Sequence, residues 1–194
     1  MHSNTILQEF IRKSIHLTSV VIVIVYFYAG KNAVMGMLIL FLLLFLIIEN
    51  GRLKYNISIP LLQSLFRKNE ISHPAGHIYF IIGAIISISI FSYEIASAAI
   101  LMATFGDLTA ALIGKKYGRT KIFHGPKSLE GSLSALIVNF VIGYLFLGGW
   151  PVALIMALSA TIAELWFTHV DDNLAIPIFS GSVGYVAVFI ISNI

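Results

Sequence analysis

The chain contains no cysteine, which excludes disulfide bonds and any metal site that needs a thiolate ligand. Charged residues are also scarce, at 11% of the 194 residues. Typical soluble chains are roughly 25% charged, so this chain has too little charge to cover a water-soluble globule. Hydrophobic residues make up 58% of the sequence and the mean hydropathy is +0.93, which excludes a disordered chain and indicates an integral membrane protein.

Long stretches without Asp, Glu, Lys or Arg recur along the chain. A hydrocarbon layer of about 30 Å takes roughly 17 to 25 helical residues, so the shorter stretches need polar flanks or burial against neighbours. Two glycines and a proline in 148–151 divide one long uncharged run into two helices. The predicted spans are 14–29, 33–48, 78–92, 95–113, 132–147, 151–168 and 174–192. The sequence therefore predicts an all-α, polytopic membrane protein with about seven transmembrane helices, in which residues 1–194 form a single bundle.

Lysine and arginine are distributed unevenly across this predicted bundle. Eleven of the 12 fall at the amino terminus or in the connections after the second and fourth spans, and only Lys31 falls on the other side. Because basic loops stay in the cytoplasm, this asymmetry predicts a cytoplasmic amino terminus and an external carboxyl terminus. The 12 basic residues outnumber the 9 acidic ones, but they lie at segment ends, so we expect no binding to nucleic acid.

The longest polar connection covers residues 49–77, on the predicted cytoplasmic side. Within it, apolar residues at helical spacing lie just before Arg67 and Lys68. These apolar residues are Pro60, Leu61, Leu62, Leu65 and Phe66. The pattern predicts an amphipathic helix that lies in the membrane interface.

Acidic side chains are predicted to lie inside two of the apolar spans. Asp107 precedes Gly114 by seven residues, which places it about 10 Å below the end of its helix. Glu164 lies near the end of the sixth span, shortly before Asp171 and Asp172. A buried carboxylate costs several kcal/mol in lipid unless it meets a cation or a proton. We interpret these acids as parts of a site; a structural ion pair, or a protonated acid between helices, is the alternative.

The connection over residues 115–131 is rich in cations, glycines and hydroxyl groups. Glycine N–H groups, basic side chains and a helix that starts near Ser128 or Ser132 all suit a polyphosphate. The connection lacks the Walker A spacing. By composition alone, a solvated cytoplasmic loop is an equal interpretation. However, Asp107, Asp171 and Asp172 are predicted on the same side, and cations beside carboxylates are typical of a site for a nucleotide and Mg²⁺.

Four short motifs follow one another along the chain. They are Arg-Lys-x-x-His at 12–16, Gly-Asp-x-x-Ala-x-x-x-Gly-x-x-x-Gly at 106–118, Lys-x-x-Glu-Gly-Ser at 127–132, and Asp-Asp-Asn-Leu-x-Ile-Pro at 171–177. This set resembles the polyprenol kinase family, which includes dolichol kinase, phytol kinase, farnesol kinase and CTP-dependent diacylglycerol kinase. The resemblance thins over 49–77, where Glu49, Arg52 and Gly76 fit the family but His73 and His77 match nothing in it.

The resemblance implies a lipid kinase that transfers the γ-phosphate of CTP to the hydroxyl of a membrane isoprenoid alcohol, with Mg²⁺ as cofactor. It implies dolichol or another polyprenol, phytol, geranylgeraniol or farnesol as acceptor, and leaves diacylglycerol open. A water-soluble nucleotide must meet an alcohol whose tail stays in lipid, so we expect the site at the cytoplasmic interface. The sequence also allows a homo-oligomer.

The motifs carry the following hypotheses for single residues. Asp107 and Asp172 bind Mg²⁺ or accept the proton of the alcohol, Lys127 contacts the phosphates, and Glu130 caps a helix or touches the metal. Asp171 and Glu164 complete the set of candidate metal ligands. The candidate nucleotide-binding residues are Lys115, Lys116, Arg119, Lys121, Lys127, Ser128, Gly131, Ser132, Arg12, His16 and Asn173. For Arg12 and His16, an interfacial anchor is the alternative.

Two other classes of function compete with a kinase. A CTP-dependent cytidylyltransferase acting on a lipid phosphate shares the membrane setting, CTP and Mg²⁺, but the 127–132 motif resembles the kinases. A small transporter could use Asp107 and Glu164 as an ion path, but the chain has no internal repeat. Glycines within the spans, such as Gly83, Gly143, Gly181 and Gly184, are expected to permit close helix packing.

Overall fold

A computed structural model describes residues 18–55, 74–122, 127–167 and 170–193, and these are almost entirely helical. The helices are α1 (Thr18–Tyr55), α2 (Gly76–Ile90), α3 (Tyr93–Leu101), α4 (Asp107–Tyr117), α5 (Leu129–Leu147), α6 (Trp150–Trp166) and α7 (Asp172–Ser192). A π-helical turn, Met102–Gly106, joins α3 to α4. Within the described ranges the extended structure is one isolated antiparallel bridge between Lys121 and Ser128. The predicted all-α class is confirmed.

The first two predicted spans fall in α1, which is divided into two helical parts by a break at Gly30, as predicted between residues 29 and 33. This glycine has φ 81° and ψ 177°, a conformation that residues with a side chain rarely adopt. Beyond Gly30, α1 lies against α2: Lys31 Nζ donates to the main-chain oxygen of Ser89 at 2.9 Å, and Glu49 Oε1 accepts from Ala75 N–H at 2.8 Å. Lys31 and Glu49 therefore lie at opposite ends of the α1–α2 pair.

Several of these helices have the length and composition of membrane spans. The stretches Ser19–Lys54, Tyr93–Tyr117, Leu129–Leu147 and Asp172–Ser192 qualify, whereas α2 and α6 are apolar but shorter. These helices indicate a membrane protein; a count of seven spans and a cytoplasmic amino terminus remain predictions. The helix that contains the second predicted span continues beyond residue 48 to Tyr55. The interfacial helix predicted around Pro60 lies outside the described residues.

Glycine provides the close contacts between helices, as predicted. An ideal Cβ on Gly143 of α5 would lie 3.0 Å from Ala153 Cα in α6, and one on Gly184 would lie 2.4 Å from Met156 Sδ. A Cβ on Gly181 would lie 2.3 Å from the Phe91 ring. At the predicted break, Gly148 ends α5 with φ 67°, and its N–H donates to the main-chain oxygen of Tyr144. These glycines allow α5, α6 and α7 to pack at short distances.

Helix α7 begins deep within the bundle. A Cβ on Gly83 would lie 2.8 Å from the main-chain oxygen of Asn173, so the first turn of α7 packs against the middle of α2. Seven residues separate Gly83 from the start of α2 at Gly76, which corresponds to about 10 Å along the axis. The first residues of α7, Asp172 among them, therefore lie about 10 Å below the level at which α2 begins.

Replacing Gly83 by alanine tests this contact. We expect Gly83→Ala to lower the free energy of unfolding by about 1–3 kcal/mol, because the added methyl meets backbone atoms of α7 that cannot turn aside. The measurement is thermal unfolding of the purified protein in detergent.

Gly36→Ala is the matched control, because a Cβ at Gly36 of α1 meets no atom within 4 Å. Alanine favours an exposed helix interior over glycine by up to about 1 kcal/mol, so this variant should unfold at the same or a higher temperature. Equal destabilisation by both variants would contradict the proposed packing.

Candidate active site

A short hairpin brings Lys127 to the start of α5. The N–H of Ile122 donates to the main-chain oxygen of Lys127 at 3.0 Å, and the N–H of Leu129 donates to that of Thr120 at 2.9 Å. Ser128 then caps α5, since its hydroxyl accepts the N–H of Gly131 at 3.2 Å. Residues 123–126, which include His124, lie outside the described residues. These bonds fix Lys127 immediately before a helix start.

The ammonium group of Lys127 connects three parts of the chain. Its Nζ lies 3.2 Å from Asp172 Oδ2 at the start of α7 and also donates to the main-chain oxygen of Glu164 near the end of α6. A cation is favoured at a helix carboxyl terminus, where main-chain oxygens lack partners within the helix. The two paired side chains retain 30% and 25% of their exposure, so the pair remains accessible to a ligand.

Three carboxylates share this region with the one lysine. Both Asp107 and Asp171 lie close enough to Asp172 to repel it electrostatically, while Lys127 attracts it. Asp107 is the first residue of α4, directly after the π-helical turn. The structure thus brings together Asp107, Lys127, Asp171 and Asp172, which the sequence had placed on one side. This cluster has a net negative charge and can attract a cation.

The acids suit Mg²⁺ better than a metal held wholly by protein. Among the described residues, no group of three or more His, Cys, Asp and Glu side chains is arranged to hold a metal ion. Mg²⁺ is commonly bound by one or two carboxylates, with phosphate oxygens and water completing its octahedron. The pair of Asp107 and Asp172 supplies oxygen ligands of that kind. Glu164 is 5% exposed and meets Lys127 through its main-chain oxygen.

Several candidate nucleotide-binding residues have local structural contacts. Asn173 is buried, and both its N–H and its Nδ2 donate to Asp171 Oδ1, at 3.0 and 2.7 Å, which caps α7. The hydroxyl of Ser132 donates to the main-chain oxygen of Ser128. Glu130 accepts the N–H of Thr120 at 3.1 Å through one carboxylate oxygen and at 3.3 Å through the other. Glu130 therefore holds the hairpin against α5.

The glycines of the two central motifs surround Ser128. A Cβ on Gly114 would lie 3.0 Å from Ser128 Oγ, and one on Gly118 would lie 2.5 Å from it. A Cβ on Gly131 would lie 2.6 Å from the main-chain oxygen of Ala110. The four-residue spacing of Gly114 and Gly118 thus lets α4, α5 and the hairpin meet at Ser128. Composition alone does not distinguish this packing role of glycine from a role in phosphate binding.

The basic residues of the 115–131 connection, other than Lys127, lie outside the contact between the glycines and Ser128. Lys115, Lys116, Arg119 and Lys121 are exposed along the end of α4 and the first strand of the hairpin. The Nζ of Lys116 lies 5.0 Å from the centre of the Tyr117 ring. Arg12 and His16 lie outside the described residues, so their predicted part in phosphate binding is untested.

Sequence reasoning missed a buried amide next to this site. Asn139 of α5 is 2% exposed, and its side chain lies against Gly106, directly before Asp107. The only signal in the sequence is an amide within an uncharged span. Glu49 and Arg52 were noted in the sequence, but their contacts were not predicted: near the end of α1, buried Glu49 pairs with Arg52 and accepts the N–H of Ala75, just before α2. There, Glu49 links the helices on either side of residues 56–73.

The fold and the site together define an all-helical protein of membrane character with a lysine and several acids at one end of its bundle. The chain is 30% identical over 143 residues to CTP-dependent diacylglycerol kinase 1 of Schizosaccharomyces pombe, covering 63% of this chain and 64% of that one. It is 35% identical over 86 residues to CTP-dependent diacylglycerol kinase 1 of Saccharomyces cerevisiae, covering 44% and 30%. It is 29% identical over 130 residues to probable phytol kinase 1 of Oryza sativa, covering 57% and 41%.

These relatives confirm the resemblance to the polyprenol kinase family: by sequence, the chain is a relative of CTP-dependent diacylglycerol kinases and phytol kinases. The matched region spans less than two thirds of each of these three relatives. No protein-family model matches the chain. No solved structure matches it either.

Truncation of Glu130 tests its role in holding the hairpin. In Glu130→Ala the N–H of Thr120 loses its acceptor, and a hydrogen bond of this kind contributes about 1 kcal/mol, so we expect its hydrogen exchange to quicken roughly fivefold. The measurement is hydrogen–deuterium exchange of peptides covering 118–122. Glu94→Ala, at the start of α3, should leave this exchange unchanged. Unchanged exchange in Glu130→Ala would remove this role.

Proposed function

We propose that this protein is a CTP-dependent lipid kinase that transfers the γ-phosphate to the hydroxyl of a membrane alcohol. The observation that carries the proposal is the pairing of Lys127 with Asp172 beside Asp107, at the meeting point of the hairpin, α6 and α7. Phosphoryl transfer depends mainly on positioning and on charge neutralisation, and this cluster offers both signs of charge. The relatives named as CTP-dependent kinases support CTP as the donor.

The reaction forms one bond and breaks another. The oxygen of the alcohol attacks the γ-phosphorus of CTP, the bond from that phosphorus to the β,γ-bridging oxygen breaks, and CDP leaves. The hydroxyl proton passes to a carboxylate, for which Asp107 and Asp172 are the candidates. When bound, Mg²⁺ neutralises phosphate charge, with these two aspartates as its candidate protein ligands.

Lys127 contributes the positive charge of the site. Here it is engaged with Asp172 and the end of α6, within reach of the acids. A nucleotide phosphate at this site competes with Asp172 for the same ammonium group, and that exchange fits the proposed role of Lys127 in phosphate binding. The exposed Lys115, Lys116, Arg119 and Lys121 then raise the local concentration of CTP.

The acceptor that we propose is an isoprenoid alcohol. The relatives are named as phytol kinases and diacylglycerol kinases, and phytol and diacylglycerol each carry a hydroxyl on a long apolar body. Phytol, geranylgeraniol, farnesol and dolichol are therefore the first substrates to assay, with diacylglycerol as the competing class. The proposal also places the site at the cytoplasmic face, as the distribution of lysine and arginine predicts.

Labelled CTP tests the reaction class. Purified protein in detergent, given Mg²⁺ and each candidate lipid, should move label from γ-labelled CTP into the lipid and release CDP. Label from α-labelled CTP in the lipid, with pyrophosphate released, would instead establish a cytidylyltransferase. If neither label reaches any lipid while a related phytol kinase is active in parallel, the proposed function is wrong.

Removing the charge of Asp107 tests its part in the chemistry. Asp107→Asn keeps the size of the side chain but loses a metal ligand and a proton acceptor, so we expect kcat to fall at least about 100-fold with the unfolding temperature little changed. Glu94→Gln removes an acid at the start of α3, away from the site, and should keep wild-type kcat. Near-normal turnover in Asp107→Asn would remove this residue from the mechanism.

Removing the charge of Lys127 tests nucleotide binding. We expect Lys127→Ala to raise the KM for CTP about 10- to 100-fold, the cost of losing hydrogen bonds to a charged group. Steady-state kinetics with varied CTP provide the measurement. Lys31→Ala serves as the control, because Lys31 Nζ contacts the main-chain oxygen of Ser89 in α2 instead. An unchanged KM for CTP in Lys127→Ala would mean that this lysine has only a structural role.

A further inference from the structure

Asn139 is a polar group deep within the bundle. It lies ten residues beyond Leu129, which corresponds to about 15 Å along α5, and it is 2% exposed. Its Nδ2 donates to Thr161 Oγ1 of α6 at 3.4 Å. The hydrogen of that hydroxyl is already used, because Thr161 donates to the main-chain oxygen of Ala157 at 2.9 Å. Thr161 can therefore act only as acceptor, which orients the amide nitrogen toward α6.

The amide oxygen consequently faces the other way, and it has no hydrogen-bond donor among the described residues. A buried acceptor without a partner costs free energy, and it costs more where water is excluded. A leucine of nearly the same shape would fill this position without that cost. An amide at this position, whose oxygen has no partner among the described residues, indicates a role other than stability.

The amide lies against the residue that precedes Asp107. An ideal Cβ on Gly106 would lie 2.3 Å from Asn139 Oδ1 and 2.9 Å from Nδ2, so the amide occupies the volume that a side chain at 106 would need. Gly106 ends the π-helical turn, and Asp107 follows it as the first residue of α4. Single π-helical turns inside longer helices are frequent at functional sites. The Asn139 amide is therefore packed directly against the backbone that leads into Asp107.

We infer that Asn139 is a positioning residue for Asp107. The polar edge of its amide meets Gly106, a contact that an apolar side chain of the same size does not reproduce, and this contact sets the path of the π-helical turn and so the position of the Asp107 carboxylate relative to Asp172. The inference rests on the proposed kinase function and adds to it a residue that lies in none of the four sequence motifs. The competing explanation is that Asn139 only ties α5 to α6 through Thr161.

The two explanations predict opposite changes in stability for Asn139→Leu. If the amide is a tie between helices, its removal lowers the unfolding temperature, and activity falls only as folded protein is lost. If it positions Asp107, the unfolding temperature stays the same or rises, because an unsatisfied buried acceptor has been removed. In that case kcat falls about 10- to 100-fold, the KM for CTP stays within about twofold, and more Mg²⁺ is needed for half-saturation.

Ser97→Ala is the matched control. Ser97 of α3 is also fully buried, and its hydroxyl finds no partner among the described residues, but it lies ten residues before Asp107 in the sequence. This variant should likewise keep or raise the unfolding temperature while it keeps wild-type kcat. Equal kcat in Asn139→Leu and wild-type protein would overturn the inference, as would a lowered unfolding temperature that accounts for all of the lost activity.

A paired substitution tests the contact itself. Gly106→Ala places a methyl group on the amide and should lower the unfolding temperature. Adding Asn139→Ala makes room for that methyl, so the double variant should recover stability but not kcat, since the amide is still missing. Recovery of wild-type kcat together with stability would show that space alone matters and would overturn the inference.

An assay of the wild-type protein with γ-labelled CTP in the same preparation distinguishes a failure of the proposed kinase function from a failure of the role inferred for Asn139. An active wild-type protein with a fully active Asn139→Leu variant refutes only the role of Asn139. A wild-type protein that phosphorylates none of the lipids refutes the proposed function and the inference with it.

Discussion

The ammonium group of Lys127 is the connection on which the site depends. It bridges the last turn of α6 and the first residue of α7, two helix ends that would otherwise leave a main-chain oxygen and a carboxylate facing each other. In a chain with 11% charged residues and an apolar surface, separating such charges from their partners is costly. The position of Lys127 in turn depends on the hairpin, which Glu130 and the Ser128 cap hold against α5.

Small residues make this arrangement possible. Helices that lack a hydrophobic driving force between them associate through close packing, and here glycine provides it at the levels of Gly143, Gly184 and Gly83. The same close packing brings α4 and α5 together around Ser128, the residue that follows Lys127. Structural packing and the charged site are therefore built from the same short motifs, and this explains why glycine and charged residues alternate in them.

The helices were predictable because hydrophobic runs, charge gaps and the break at 148–151 report directly on helix length and ends. The grouping of Asp107, Lys127 and Asp172 was also predictable, since alternating spans bring every second connection to one side. The roles of Gly114, Gly118 and Gly131 were not, because glycine suits both close helix contact and phosphate binding. The π-helical turn and the contact of Asn139 with Gly106 depend on the register between helices, and hydropathy carries no information about register.

The link between Glu49 and Ala75 has a consequence for the evolution of chains of this kind. One hydrogen bond joins Glu49, in the last part of α1, to Ala75, directly before α2, so the described residues on either side of 56–73 are held close together. The entropy of closing such a loop grows only slowly with its length. Insertions or deletions between these two anchor points therefore change little in the rest of the fold, and related chains can differ here in size while they keep the same core.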